Sequence, residues 1–332
     1  MPEDTTMNKP RQDQFTGALM GCAVGDALGA PIEGRSREQI AAMKGITDGY
    51  RPLSHGKANS YPPGQYTDDT QLTMATVKSL IACGRVDGAG IATEFAKLWQ
   101  SGEIVGAGPV AHRAVKRLLE GVGWEHAAVV DDLPLNGAAM RIAPIGLWHC
   151  DRADRLADDV TVASIVTHRH PLAVDAAIAV ATAVAHVVTE SKIKTAHLLQ
   201  VVSEAVEERS PCFARRIGQL EAWLELAEST ALDAIADVGP ARGAKGFGIP
   251  AMAEPTVLAA LYTFLRSPGD FMETVDCALH IGGDVDTIAA IAGAISGAHS
   301  GLDAIPGNLV TGVKDSEEIL ELGASLFASR YP

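Results

Sequence analysis

Four glycines, Gly17, Gly21, Gly25 and Gly29, recur at strict four-residue spacing between Phe15 and Ala30. On an α-helix that spacing lays them in a slowly drifting row along one face. A face without side chains admits a second helix at short distance. Each glycine costs about 1 kcal/mol relative to alanine inside a helix, so the row demands either offsetting contacts or a helix that ends early, near Gly25-Asp26. Gly293 and Gly297 repeat the spacing in the last core helix expected, over 288–299. The wider composition agrees: 33 glycines and only 5% aromatic residues imply a core of Ala, Val, Leu and Ile with short interhelical distances.

Periodicity predicts further helices over 72–83 (closed by Gly84), 90–100, 109–120, 124–130, 139–150, 154–167, 171–189, 195–209, 213–228, 254–265 and 269–279. No strand alternation is sustained and no βαβ order appears, so the expectation is an all-α fold, one compact multi-helix domain over 15–332. Residues 35–65 read as short elements and loops. Residues 1–14 are polar, lack the apolar region of a secretory signal, and read as a flexible N-terminal tail. The run 172–188 is the most membrane-like, yet Asp175, His186 and its alanines suit a buried helix, and no transmembrane segment is expected. A net charge of −14 without a basic stripe argues against nucleic-acid binding. Cys22, Cys83, Cys150, Cys212 and Cys277 form no CxxC pair, which fits a reducing cytoplasm. A monomer is expected.

Two clusters of carboxylates carry the chemistry. In Gly282-Gly283-Asp284-Val285-Asp286-Thr287, residues two apart share a face only in extended backbone, so Asp284 and Asp286 are expected in a loop before a helix that Thr287 begins. In Thr67-Asp68-Asp69-Thr70-Gln71 a threonine and two aspartates again precede an amphipathic run. Each cluster could be only a helix cap, Asp68 with Gln71 as a capping box. One cap does not need two aspartates. Gathered in one cleft, the four carboxylates would repel unless cations sat between them, and an oxygen-only donor set points to two Mg²⁺ or Mn²⁺ ions.

Five motifs in order resemble the ADP-ribosylglycohydrolase family, which includes dinitrogenase-reductase-activating glycohydrolase and ADP-ribosylarginine hydrolases. They are Gly25-Asp26-Ala27-Leu28-Gly29 with Pro31 and Glu33, Thr67-Asp68-Asp69-Thr70, Asn136-Gly137-Ala138-Ala139-Met140-Arg141, Thr167-His168 with Pro171, and Gly282–Thr287. The resemblance spans nearly the whole chain. It implies an all-helical fold with a binuclear Mg²⁺ or Mn²⁺ centre that hydrolyses a glycosidic bond at the distal ribose of ADP-ribose. Carried over, Thr67, Asp68, Asp69, Asp284, Asp286 and Thr287 would hold the metals and Glu33 would ligate or gate. The chemistry of ribosyl cleavage adds that Asp69 or a neighbouring carboxylate would accept the proton of the attacking water. Met140 would face the substrate, as would His168, whose other reading is a structural hydrogen-bonder ahead of Pro171.

Other residues admit two readings. Asn136-Gly137 could offer amides to a diphosphate through a positive-φ turn, or could be a plain turn. In the loop Lys245-Gly246-Phe247-Gly248, Phe247 could stack on adenine, or the loop could only connect. His170 is expected to face solvent. Three features differ from family patterns: Val285 replaces a common Thr, 131–135 lacks a Gly/Ser-rich lead-in, and near 104–109 Glu103 is the only acid. The expected function is a metal-dependent hydrolase removing ADP-ribose from protein, foremost from arginine. A hydrolase of a small ADP-ribosyl or ribosyl metabolite and a non-catalytic ADP-ribose-binding member are the alternatives.

Overall fold

In the computed structural model, which describes residues 8–55, 59–129, 133–238 and 246–332, the glycine row lies on helix α1 (Gln12–Gly29). A short helix α2 (Arg37–Ala41) and an antiparallel hairpin of β1 (Leu53–His55) and β2 (Asn59–Tyr61) lead to α3 (Asp68–Cys83). There follow α4 (Gly88–Ser101), α5 (Pro109–Leu119) and α6 (Trp124–Ala127). After a 3-10 turn over Asn136–Arg141 come α7 (Ala143–Trp148), α8 (Leu156–Ile165) and α9 (Pro171–Thr189). The chain continues through α10 (Thr195–Glu207), α11 (Pro211–Leu224), α12 (Glu228–Ala236) and α13 (Ala253–Arg266). It ends with α14 (Phe271–His280), α15 (Val285–Ser300), α16 (Gly307–Gly312) and α17 (Ser316–Arg330). The all-helical expectation holds.

Helix α1 does not stop at Gly25-Asp26. It runs on to Gly29 because its glycine face lies against α15, antiparallel and nearly backbone to backbone. A β-carbon placed on Gly21 would sit 2.2 Å from the Gly293 carbonyl oxygen, one on Gly25 2.1 Å from that of Ala289, and one on Gly29 2.4 Å from Asp286 Cα. Reciprocally, β-carbons on Gly293 and Gly297 would meet the carbonyl oxygens of Gly21 and Gly17 at 2.3 and 2.1 Å. The two glycine rows therefore meet each other, and dense packing along both helices offsets the propensity cost.

Several boundaries differ from the periodic reading. The helix expected over 139–150 is broken into the 3-10 turn and α7, because Pro144 enters at the first turn of α7 and cannot supply the N–H a continuous helix needs. The run 213–228 is two helices, α11 and the start of α12, separated without any Gly or Pro to mark the break. Helix α17 was not anticipated; its Gly323 packs against Thr16 of α1. Residues 12–14 belong to α1 rather than to a tail: Gln14 is buried, and its amide donates to Val188 O at 2.9 Å and Ala298 O at 3.1 Å. Residues 1–7 of that stretch, with Asp131, Asp132 and Lys245, lie outside the described residues. Two stretches, Gln12–Ile32 and Pro171–Thr189, are long and apolar enough to cross a membrane, and are 94% and 83% buried inside the fold. All five cysteines are free.

Gly25→Ala is expected to lower stability by about 3 kcal/mol through overpacking against the α15 backbone. Gly218→Ala, mid-helix on α11 with open space around it, should raise stability by up to about 1 kcal/mol. Thermal melts of the two variants beside the parent test whether the row is a packing device.

Candidate metal centre

Helix α3 begins without help from its own N-cap side chain, Thr67. Its first donors are satisfied from α1 instead. Asp26, one residue beyond Gly25, accepts hydrogen bonds from Thr67 N (3.0 Å), Thr70 N (3.0 Å) and Thr70 Oγ1 (2.6 Å), and lies 2.9 Å from Thr67 Oγ1. A cap supplied by another helix thus locks the start of α3, and with it Asp68 and Asp69, to the glycine-lined pair. The capping box of Asp68 with Gln71 is not formed. Gln71 donates to Glu103 O at 2.8 Å and accepts from Val105 N at 2.9 Å, holding the wall before α5.

Asp284 and Asp286 do not both precede the helix, as the spacing suggested. Asp284 is the N-cap of α15, in non-helical backbone, and Asp286 stands in the first turn. They converge nonetheless, and one oxygen of each lies within 4.8 Å of the other and of a Glu33 oxygen. The approach to α15 requires glycine. Gly282 and Gly283 have φ of +77° and +81°, open to glycine at little cost, and they are threaded between two other segments. Gly34 N donates to Gly283 O (2.8 Å), Gly283 N to Arg35 O (2.9 Å), Ile249 N to Gly282 O (2.9 Å) and Asp284 N to Ile249 O (2.9 Å). This braid sets Glu33 and the 247–251 segment beside the aspartates.

One cavity of about 240 Å³ gathers Glu33, Thr67, Asp68, Asp69, Asn136, Gly137, Met140, His168, Asp284, Asp286 and Thr287. All but two of the residues expected at the site are therefore in one place. Phe247 lines a neighbouring groove of about 250 Å³, which shares Glu33, Ala251 and Asp284 with the cavity; it is 47% exposed. Gly246 lines neither, and its N–H points to Asp233 Oδ1 at 3.4 Å. Glu103 is exposed and stays outside the cavity.

The electrostatics are strained. Burial, then the charge of Asp26, push Asp68 up to about 8. Burial, then Glu33, push Asp284 up to about 7. Asp69 and Asp286 are raised well above the ordinary carboxylate range, foremost by burial and next by Asp26 and Glu33 respectively. Asp26 rises to about 6 by burial, with the Thr67 and Thr70 donors opposing. Asp69 Oδ2 lies 3.3 Å from Thr67 Oγ1 and 3.5 Å from Thr287 Oγ1, while its buried Oδ1 has no hydrogen-bond partner. A buried, unpartnered carboxylate oxygen among three other carboxylates fits a hard divalent cation, which would supply both the missing partner and the opposing charge. Thr67, Asp68, Asp69, Asp284, Asp286 and Thr287 could hold it.

On the opposite wall Asn136 positions rather than turns. Its Nδ2 donates to Asp284 Oδ2 (2.5 Å) and Thr256 Oγ1 (2.9 Å). Gly137 sits in the 3-10 turn and lacks the positive φ that a diphosphate-binding turn would need. A β-carbon there would lie 2.5 Å from His168 Cε1, so the glycine admits the imidazole. His168 is buried, pairs through Nδ1 with Thr167 Oγ1 at 2.8 Å, and is pushed down to about 3 by burial and then by Arg141. It is neutral at physiological pH and can offer hydrogen bonds, not a proton for acid catalysis. His170 does not simply face solvent: it is half-buried and its Nδ1 accepts from Leu172 N, capping α9.

Sequence reasoning missed two residues. The capping role of Asp26 had a signal, a single carboxylate on an otherwise apolar, glycine-lined helix. Arg141 is wholly buried, with Nη1 donating to Gly137 O and Nη2 to Ala163 O, over the Phe95 ring at 5.0 Å. Burial lowers it to about 9, the Asp68 charge opposing, so it remains cationic beside the acidic cluster.

The ADP-ribosylglycohydrolase family model matches residues 7–332. An uncharacterized protein of Archaeoglobus fulgidus is 31% identical over 95% of this chain and 96% of its own length. The ADP-ribosyl-[dinitrogen reductase] glycohydrolase of Rhodospirillum rubrum is 30% identical over 89% and 88%. The ADP-ribosylhydrolase ARH3 of Gallus gallus is 26% identical over 96% and 94%. Among solved structures, an ADP-ribosylglycohydrolase-related protein complex superposes with TM-score 0.73 at 27% identity, covering 97% of this chain and 99% of that one.

The carboxylates whose folded pKa lies above the unfolded 3.8 hold protons that the unfolded chain releases. Their stabilising effect is complete below about pH 4 and is lost as pH rises through about 6 to 8. In chelator, Asp68→Asn should therefore raise the melting temperature more at about pH 8.5 than at about pH 5.5. An equal effect at both pH values would contradict the buried-charge account.

Proposed function

This chain belongs to the ADP-ribosylglycohydrolase family, whose members cleave glycosidic bonds, and we propose that it removes ADP-ribose from ADP-ribosylated protein, arginine-linked in preference to other linkages. Water attacks the anomeric carbon of the distal ribose. The observation that carries the reading is the Asp69 carboxylate, buried, lining the cavity, and with one oxygen left without a partner.

Two Mg²⁺ or Mn²⁺ ions held by Thr67, Asp68, Asp69, Asp284, Asp286 and Thr287 would supply Lewis acidity and a fixed point for ribose hydroxyls. The chain's own groups do the rest. Cleavage develops positive charge at the anomeric carbon, and the carboxylates of this cavity are fixed close to where it appears. Asp69 accepts the proton of the attacking water. Asn136 holds Asp284 in place through a short hydrogen bond. Neutral His168, steered by Thr167, orients the substrate by hydrogen bonding. Glu33 is exposed at the rim beside Asp284 and Asp286, where a negative charge favours a cationic guanidinium leaving group. The groove beside Phe247 gives the adenosine end an aromatic face. Five free cysteines support a place in a reducing cytoplasm.

Release of ADP-ribose should be followed from arginine-linked protein, serine-linked protein and small ADP-ribosyl compounds, with Mg²⁺, Mn²⁺ or chelator. Metal-dependent release from the arginine conjugate is expected; turnover confined to small compounds would overturn the protein substrate. Asp68→Ala and Asp286→Ala should abolish activity and metal binding while the fold persists, and full turnover by both would sink the binuclear reading. Asp26→Ala, at a residue that does not line the cavity, should still lower metal affinity or activity about 10–100-fold, since it releases the start of α3.

A further inference from the structure

At the far end of α9 from His170, about 24 Å along the axis at 1.5 Å per residue, a second set of ligating groups converges. His186 lies in the last turn of α9, Glu190 follows as its C-cap in extended backbone, and His197 stands in the first turn of α10. One ligand atom from each lies within 4.8 Å of the others, and the two imidazoles meet edge to face with centroids 4.9 Å apart. Among the described residues, none of the three side chains is hydrogen-bonded or ion-paired elsewhere.

The backbone that carries them is held firmly. The last carbonyls of α9 are each taken by a different element: Val187 O by His299 Nδ1 (3.3 Å), Val188 O by Gln14 Nε2 (2.9 Å) and Thr189 O by Asn8 N (3.1 Å). On the other side, Leu198 and Leu199 are buried and anchor the start of α10. Tetrahedral coordination at about 2.0–2.1 Å brings ligand atoms to about 3.4 Å apart. Rotation of the exposed His197 can close that difference.

We propose that His186, Glu190 and His197 form a second divalent-metal site, for Zn²⁺, that staples the corner between α9 and α10. Two imidazole nitrogens and one carboxylate oxygen suit Zn²⁺, Ni²⁺ or Cu²⁺ rather than Mg²⁺, which separates this site from the oxygen-only acidic centre. The fourth coordination position falls to water. The role is structural, since the site stands at the opposite end of α9 from the cavity.

The test uses the full-length untagged protein in excess Mg²⁺, so that hard-ion positions are filled. One equivalent of Cu²⁺ should give an EPR spectrum with nitrogen superhyperfine coupling, lost or reduced to a single nitrogen in His197→Gln. Added Zn²⁺ should raise the melting temperature of the parent by mass action, and His197→Gln and Glu190→Gln should each weaken Zn²⁺ binding at least tenfold. Mg²⁺-supported hydrolysis should be unchanged in both. His197 is exposed, so its replacement leaves the fold intact. A Cu²⁺ spectrum without nitrogen coupling, or Zn²⁺ stabilisation equal in the parent and both variants, would overturn the proposal.

Discussion

The structure depends on two helices meeting without β-carbons. Because α1 and α15 touch through glycine and alanine backbone, Asp26 and Gly29 of one helix are brought to the first turn of the other, where Asp286 stands. A single added methyl group at Gly29 would fall on the Asp286 backbone. Helix contact and site geometry are thus one constraint: the distance that packs the core also sets the separation of carboxylates contributed from opposite ends of the chain.

That closeness has an electrostatic cost, which the fold meets in two different ways. Asp26 is satisfied by the first donors of α3, so its charge serves as a cap and fixes the direction from which Asp68 and Asp69 enter. The other four aspartates have no comparable set of donors, and their pKa values rise because burial and mutual repulsion disfavour the charged forms. Arg141 supplies one buried positive charge nearby but donates to backbone carbonyls, so it offsets the field without neutralising any carboxylate. An arrangement destabilising as bare protein is the arrangement that divalent cations relieve.

The surrounding residues convert this charge cluster into a directional site. The glycine pair Gly282-Gly283 lets three segments cross at one point, placing the exposed Glu33 against the buried Asp284 and Asp286. Gly137 makes room for the His168 ring, and Thr167 settles that ring's orientation. Each device is a short-range fit between backbone and side chain, and none carries a pattern that repeats along the chain.

Much was legible before any coordinates. Helical periodicity, the four-residue glycine spacing and the oxygen-only carboxylate motifs are local properties, set by 3.6 residues per turn and by ligand chemistry, and they point to the all-α class, the close helix contact and four clustered aspartates as candidate metal ligands; Thr67 and Thr287 join that set only through the family resemblance. What the linear pattern could not express were partnerships across the chain. Asp26 as a cap for α3, the pairing of the two glycine rows, Asn136 on Asp284, Gly246 outside the cavity and His186 beside Glu190 and His197 join residues whose proximity arises only when helices pack. The division of 213–228 into two helices and the docking of α17 belong to the same class. No Gly or Pro marks the first, and a lone Gly323 without any repeat marks the contact of the second; both follow from which apolar face finds the core. Local periodicity determined the elements; burial, which is a property of the assembled whole, decided their partners and therefore their chemistry.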